Sequence, residues 1–168
     1  MTHPQENAPP ANIADLNCTA YRLRKATRRV TALYDASLGP TGLTVTQFSI
    51  LAMIATAGPR PMSGLAEALG MDASTLTRTL KPLLARDDVQ IVSGEDKRMK
   101  RVALTDKGNE TVALAVPHWR VAQKRVERAL GGEISALHAL LSKVSKAGDP
   151  ALTDALPVTE AAGPVPSA

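Results

Sequence analysis

Cysteine and aromatic side chains are nearly missing from this chain. One cysteine in 168 residues excludes an intramolecular disulfide framework and any zinc site built on several thiolates. One tryptophan, two tyrosines and one phenylalanine are too few for the stacking platforms that hold single-stranded nucleic acids. No apolar run approaches a membrane span, and the polar start Met1-Thr2-His3-Pro4-Gln5 does not read as a signal peptide. A cytoplasmic protein with no membrane partner is expected. Phosphate-binding glycine loops, a G-x-S-x-G elbow and S-x-x-K are absent. His3, His118 and His138 lack metal-ligand spacing to one another or to Cys18. The chain therefore reads as a non-enzyme, with no catalytic residue, cofactor or metal expected. What it does carry is positive charge, net +4 with a pI near 9.5, which favours a polyanionic partner. Because Asp72, Asp87 and Asp88 sit among the bases, binding must rest on which faces the charges occupy.

The stretch Asp72–Arg101 is where those faces sort themselves. On a helical period Leu76, Leu80 and Leu83 point inward, with Leu84 flanking them. Ser74, Arg78, Lys81 and Ala85 then point outward, with Thr75 and Thr77 beside them. Short hydroxyls next to a guanidinium suit a DNA major groove, and Lys81 suits a phosphate. An ordinary amphipathic surface helix is the alternative. Pro82 inside this helix predicts a bend.

Upstream, Pro61–Leu69 predicts a short helix with Ser63 as its N-cap. Gly70 then closes the turn and Asp72 caps the next helix. Leu65, Ala66, Leu69, Gly70, Met71 and Leu76 fit helix-turn-helix spacing. Downstream, Val89–Val92 and Arg101–Leu104 predict a hairpin around the loop 93–100, which carries Asp96, Lys97, Arg98 and Lys100. A basic hairpin beside a recognition helix is a wing able to reach phosphates or the minor groove.

Leu76-Thr77-Arg78-Thr79-Leu80-Lys81-Pro82-Leu83, Asp96-Lys97-Arg98 and Leu104-Thr105-Asp106-Lys107-Gly108 together resemble the multiple antibiotic resistance regulator (MarR) family of winged-helix transcription regulators. The resemblance runs from about Asn17 to about Val144. It implies that Arg98 enters the minor groove and that Asp96 orients it. Asp88 stands where the family usually has glycine, and aspartate tolerates the left-handed backbone better than most residues. Asp87 and Asp88, being adjacent, read as a solvated helix end rather than an acid–base pair.

The expected fold is mostly α with a small β-hairpin wing, and long terminal helices that dimerise. Residues 1–12 and 147–168 read as disordered tails around a winged-helix domain at 13–146, whose DNA-binding lobe is 61–105. The first dimerisation helix (13–38) has Asn12 as its candidate cap and Leu16, Leu23, Val30 and Leu33 on one side. Gly39-Pro40-Thr41-Gly42 ends it. Thr44 should cap a buried helix through Thr56 containing Phe48, Ile50, Leu51, Met53 and Ile54, and Gly58-Pro59-Arg60-Pro61 breaks it. The second dimerisation region (106–146) starts at a cap on Thr105 or Asp106. Val112, Val116, Trp119, Ala122, Val126 and Leu130 form its stripe, and Pro117 should bend it. After Gly131-Gly132, a last helix carries Ile134, Leu137, Leu141 and Val144.

Two reading heads on a two-fold axis imply an inverted-repeat site on double-stranded DNA with half-sites about 10 bp apart. The resemblance further implies a homodimeric, ligand-responsive repressor. Its small, often aromatic effector would bind between the dimer helices and the winged lobe, lined by the first helix, the Phe48 helix and the Trp119 helix. Cys18 resembles the sensing cysteine of the family's organic-hydroperoxide branch, near a helix start and one turn before Arg22. That branch holds its thiol with tyrosines that Tyr21 and Tyr34 do not match securely, and a buried structural cysteine is the default reading. The other classes left open are a thiol peroxidase using Cys18 and a winged-helix protein-interaction module without DNA affinity.

Overall fold

The computed structural model describes residues 17–93 and 100–148. It divides into two units, Met1–Gln123 and Lys124–Ala168, each described by itself. In the first unit the chain forms α1 (Thr19–Leu38), a 3-10 turn (Gly39–Thr41), α2 (Val45–Ala57), β1 (Arg60–Pro61), α3 (Met62–Ala68), α4 (Ala73–Ala85), β2 (Val89–Ser93) and β3 (Lys100–Leu104). Helix α5 (Asp106–Ala129) starts in this unit and ends in the second, which also holds α6 (Ile134–Ala147). This is the mostly helical fold with a small hairpin that the sequence predicts.

The first helix begins later than its periodicity implies. Asn17 has a φ of 48° and Cys18 is extended, so the helix starts at Thr19 and not at Ile13. Asparagine is among the few side chains that tolerate that backbone. Asn12, the expected cap, lies outside the described residues, as do most of both predicted tails.

Helix α2 starts where expected. The Thr44 hydroxyl accepts from the Gln47 amide at 3.3 Å while Gln47 Oε1 accepts from the Thr44 amide at 2.9 Å, a reciprocal capping box. Ile50, Leu51 and Ile54 of this helix, Leu38 of α1, Leu65 of α3 and Val102 of β3 meet in one core. That core supplies the platform on which α4 rests.

Two expectations at the start of α3 are corrected. Ser63 does not cap it: Pro61 holds the cap position, no side chain caps the helix, and Ser63 is exposed in its first turn. The break at 58–61 is also a strand, with Arg60 opposite Val102 and Pro61 opposite Arg101, giving sheet order β1-β3-β2. Both follow from Pro61. Its ring sets φ at −64° and its extended ψ of 149° lets it end an edge strand where no N–H is needed.

The hairpin pairs Val89 with Leu104 and Ser93 with Lys100, so each strand runs one residue further toward the tip than predicted. Helices α4 and α5 run unbroken through Pro82 and Pro117. In the second unit, Gly131 and Gly132 take φ of 56° and 97°, the turn their sequence predicts. Helix α6 leaves Leu140, Leu141 and Val144 exposed at 58%, 40% and 40%.

Candidate nucleic-acid interface

Helix α4 forms because its two ends and one face are all determined. Leu76, Leu80 and Leu83 are at most 1% exposed, and each burial contributes about 2 kcal/mol. Gly70, at φ 60°, turns the chain out of α3. Asp72 then caps α4, its Oδ1 accepting from the Thr75 amide at 2.8 Å.

Asp72 does more than cap. The Ser74 hydroxyl donates to Oδ1 at 2.5 Å and the Thr75 hydroxyl donates to Oδ2 at 2.7 Å. Arg78 Nη2 donates to Thr75 Oγ1 at 3.2 Å, one turn further on. These donors hold the Asp72 carboxyl well below the usual carboxylate range, the Ser74 hydroxyl first, then the Thr75 hydroxyl and amide. Asp72 is therefore ionised at neutral pH.

The predicted outward residues Ser74, Thr77, Arg78 and Lys81 are exposed, and Thr75 is half-buried. The Thr77 hydroxyl donates back to the Ala73 carbonyl at 2.8 Å, so its proton stays within the helix. Beside this face lies an open concavity of about 520 Å³ shared with the first turn of α2, lined by Thr46, Gln47, Thr75, Arg78 and Thr79 among others. Thr46 and Gln47 were not among the sequence candidates, because helix periodicity reports which residues are inward and not which helix ends adjoin. Lys100 is exposed at the start of β3; Asp96, Lys97 and Arg98 lie outside the described residues.

Asp87 is exposed, as a solvated helix end should be, but the junction behind α4 overturns that reading for Asp88. Asp88 is fully buried, with Oδ2 2.7 Å from Arg86 Nε and Oδ1 accepting from the Thr111 hydroxyl at 2.7 Å. No N–H is aligned on Oδ2, so its attraction to Arg86 is coulombic more than directional. The left-handed residue is Asp87, at φ 60°, one position before the one where the family glycine was matched. Arg86 also donates to the Gly42 carbonyl at 2.9 Å and to that of Thr41 at 3.3 Å.

The Leu-Thr-x-x-Gly motif closes the same junction from α5. Thr105 Oγ1 donates to the Asp87 carbonyl at 2.6 Å and accepts from the Gly108 amide at 2.9 Å, capping the helix as predicted. Lys107 donates to the Arg86 carbonyl. A Cβ on Gly108 would stand 1.9 Å from the Asp88 carbonyl oxygen, so only glycine fits.

Phe48 and Trp119, expected to line an effector cleft, stack on each other at 6.1 Å between centroids and 26° between planes. Cys18 is half-buried in the cap position of α1, where its carbonyl accepts from the Arg22 amide at 3.1 Å. Among the described residues, no single helix is long and apolar enough to cross a membrane.

Comparison with known proteins adds three findings. The family model described as MarR family matches residues 43–98, from just before α2 to beyond the end of β2. Among curated proteins, the chain is 33% identical over 90 residues to the uncharacterized HTH-type transcriptional regulator YwoH of Bacillus subtilis, covering 54% of this chain and 66% of that one. It is 30% identical over 124 residues to the HTH-type transcriptional repressor NicR of Pseudomonas putida, covering 73% and 78%. Among solved structures, the M. tuberculosis transcriptional regulator MosR in complex with DNA matches with a TM-score of 0.68 and 38% identity, covering 77% of this chain and 97% of that one.

Proposed function

This chain belongs to the MarR family of transcriptional regulators, and we propose that it is a sequence-specific repressor that binds an inverted-repeat operator as a homodimer. The observation that carries the reading is the exposed face of α4, with Ser74, Arg78 and Lys81 outward over three buried leucines, in a chain 38% identical to a regulator solved on DNA. Arg78 presents a planar fork of donors suited to guanine O6 and N7, and Lys81 a point charge suited to phosphate. Arg98, with Asp96 orienting it and Lys97 and Lys100 beside it, is assigned to the minor groove and the flanking backbone.

A second copy of the chain is the partner assigned to the exposed apolar residues of α6, and to Leu114 and Val121 of α5, which are 69% and 63% exposed. Repression follows from occupying a promoter, and a relative named as a repressor supports that sign. A small, aromatic effector that prefers a dimer with wrongly spaced heads would release the DNA, to the extent of its differential affinity for the two states. The half-buried Trp119, stacked on the buried Phe48, is the aromatic group we assign to it.

The test is binding to the protein's own upstream region, and to a random DNA library, titrated with salt. Wild type is expected to select an inverted repeat, with affinity falling steeply as salt rises, and both Arg78→Ala and Arg98→Ala should weaken it. No selected motif and no effect of either change would leave a protein-interaction module as the better account. Adding an organic hydroperoxide to wild type and Cys18→Ser separates thiol control, the alternative mode of release, from ligand control.

A further inference from the structure

The first turn of α4 has an arrangement of protons that its sequence alone does not disclose. An ionised carboxylate only accepts hydrogen bonds, and a hydroxyl has one proton to give. Ser74 Oγ lies 2.5 Å from Asp72 Oδ1 and Thr75 Oγ1 lies 2.7 Å from Asp72 Oδ2, so both hydroxyl protons are directed at Asp72. An arginine only donates, so the 3.2 Å contact from Arg78 Nη2 uses one lone pair of Thr75 as well. Ser74 is left exposed with its lone pairs and no proton to offer.

We propose that Asp72 is a specificity-determining residue of the reading helix: by holding the hydroxyl protons of Ser74 and Thr75, it makes Ser74 an obligate acceptor. Ser74 therefore selects a base edge that donates, the exocyclic amino group of adenine or cytosine. This rests on the reading of α4 as the helix that enters the major groove. In that groove adenine N6 and cytosine N4 donate, whereas guanine N7 and O6 and thymine O4 only accept. A phosphate oxygen also only accepts. The charge of Asp72 lies where free helix amides would otherwise draw a phosphate, so this turn is turned away from the backbone and toward the bases. Arg78, tied to the same chain of bonds through Thr75, keeps donors free for guanine. Adjacent positions on one helix thus read opposite polarities.

The experiment is random-library selection and sequencing with the full-length wild type, Ser74→Ala and Asp72→Gly, each checked for folding by its thermal melt. Asparagine would not serve, because the Oδ1 that caps the Thr75 N–H also takes the Ser74 proton. Glycine still suits the cap position but has no acceptor, so it frees both hydroxyl protons. In the wild-type motif, one position per half-site should favour A or C over G or T on one strand by roughly fivefold, the usual worth of one hydrogen bond. Ser74→Ala should flatten that position alone. Asp72→Gly should shift it toward G or T, or flatten it, with the rest of the motif unchanged.

The inference is overturned if Ser74→Ala leaves every position as it was, if the position it flattens favours G or T in wild type, or if Asp72→Gly keeps the wild-type preference. In those cases the motif itself still supports a regulator. A wild type that selects no motif removes both readings together.

Discussion

Arg86 and Asp88 form one ion pair, yet removing the two partners should have unequal cost. With Arg86→Ala the Asp88 carboxylate stays fully buried, held only by the Thr111 hydroxyl, and the Thr41 and Gly42 carbonyls lose their donors. An orphaned buried charge of this kind costs about 3–5 kcal/mol. With Asp88→Ala the arginine, 34% exposed, keeps its two carbonyl partners and gains water. What is lost is a screened attraction and one hydroxyl partner, about 1–2 kcal/mol together. The double variant removes the orphan, so it should cost about 2–3 kcal/mol, less than Arg86→Ala alone. The cycle then gives a coupling of about 2–3 kcal/mol. Urea unfolding measures this, at one fixed protein concentration because the apparent stability of the proposed dimer would depend on it, and with the slope checked for constancy. A cost for Asp88→Ala equal to that of Arg86→Ala, or additivity within about 0.5 kcal/mol, would refute the account of this junction.

Gly108→Ala should destabilise by about 3 kcal/mol or more, since the added carbon meets the Asp88 carbonyl at 1.9 Å and a backbone group must move; an unchanged thermal melt would show the junction to be slack. Lys81→Ala should weaken binding evenly across DNA sequences and reduce the salt slope by about 0.9, read in a titration; a changed motif would place it on a base instead. Leu141→Glu on α6 should shift the oligomer toward monomer in sedimentation velocity, and an unaltered dimer would move the interface elsewhere. The Asp72 carboxyl has its pKa lowered on folding, so its stabilisation is complete above the unfolded value of about 3.9 and fades as pH falls below it. Melts of wild type and Asp72→Asn should therefore converge under acid, and a gap that widens there would contradict the sign.

Much of this was legible in the sequence because periodicity and capping are local. The leucine stripe of α4, the glycine turn and the Asp72 and Thr44 caps each depend on residues a few positions apart. What escaped depends on distant partners or on backbone geometry. Asp88 looked solvated because its neighbours in sequence are polar; the Thr111 that buries it with Arg86 is 23 positions away. Pro61 read as a breaker and is one, but the strand it ends needs β3, some forty residues on, to exist. Ser74, Thr77, Arg78 and Lys81 are on the exposed face of α4, as the helical period implies, while the direction of the Ser74 and Thr75 protons required the distances to Asp72.

The junction of Arg86, Asp88, Thr105 and Gly108 grips α4 at its C-terminal end, while bases would be read from its N-terminal end. A helix of 13 residues is about 20 Å long, and this clamp sets its direction together with the buried Leu76, Leu80 and Leu83 along its length. A tilt of about 5° at the clamp displaces the tip by roughly 1.7 Å, half the 3.4 Å rise from one base pair to the next. If the tip of α4 reads bases as proposed, the stiffness of this junction and of the leucine face behind it would set how finely it registers on the sequence.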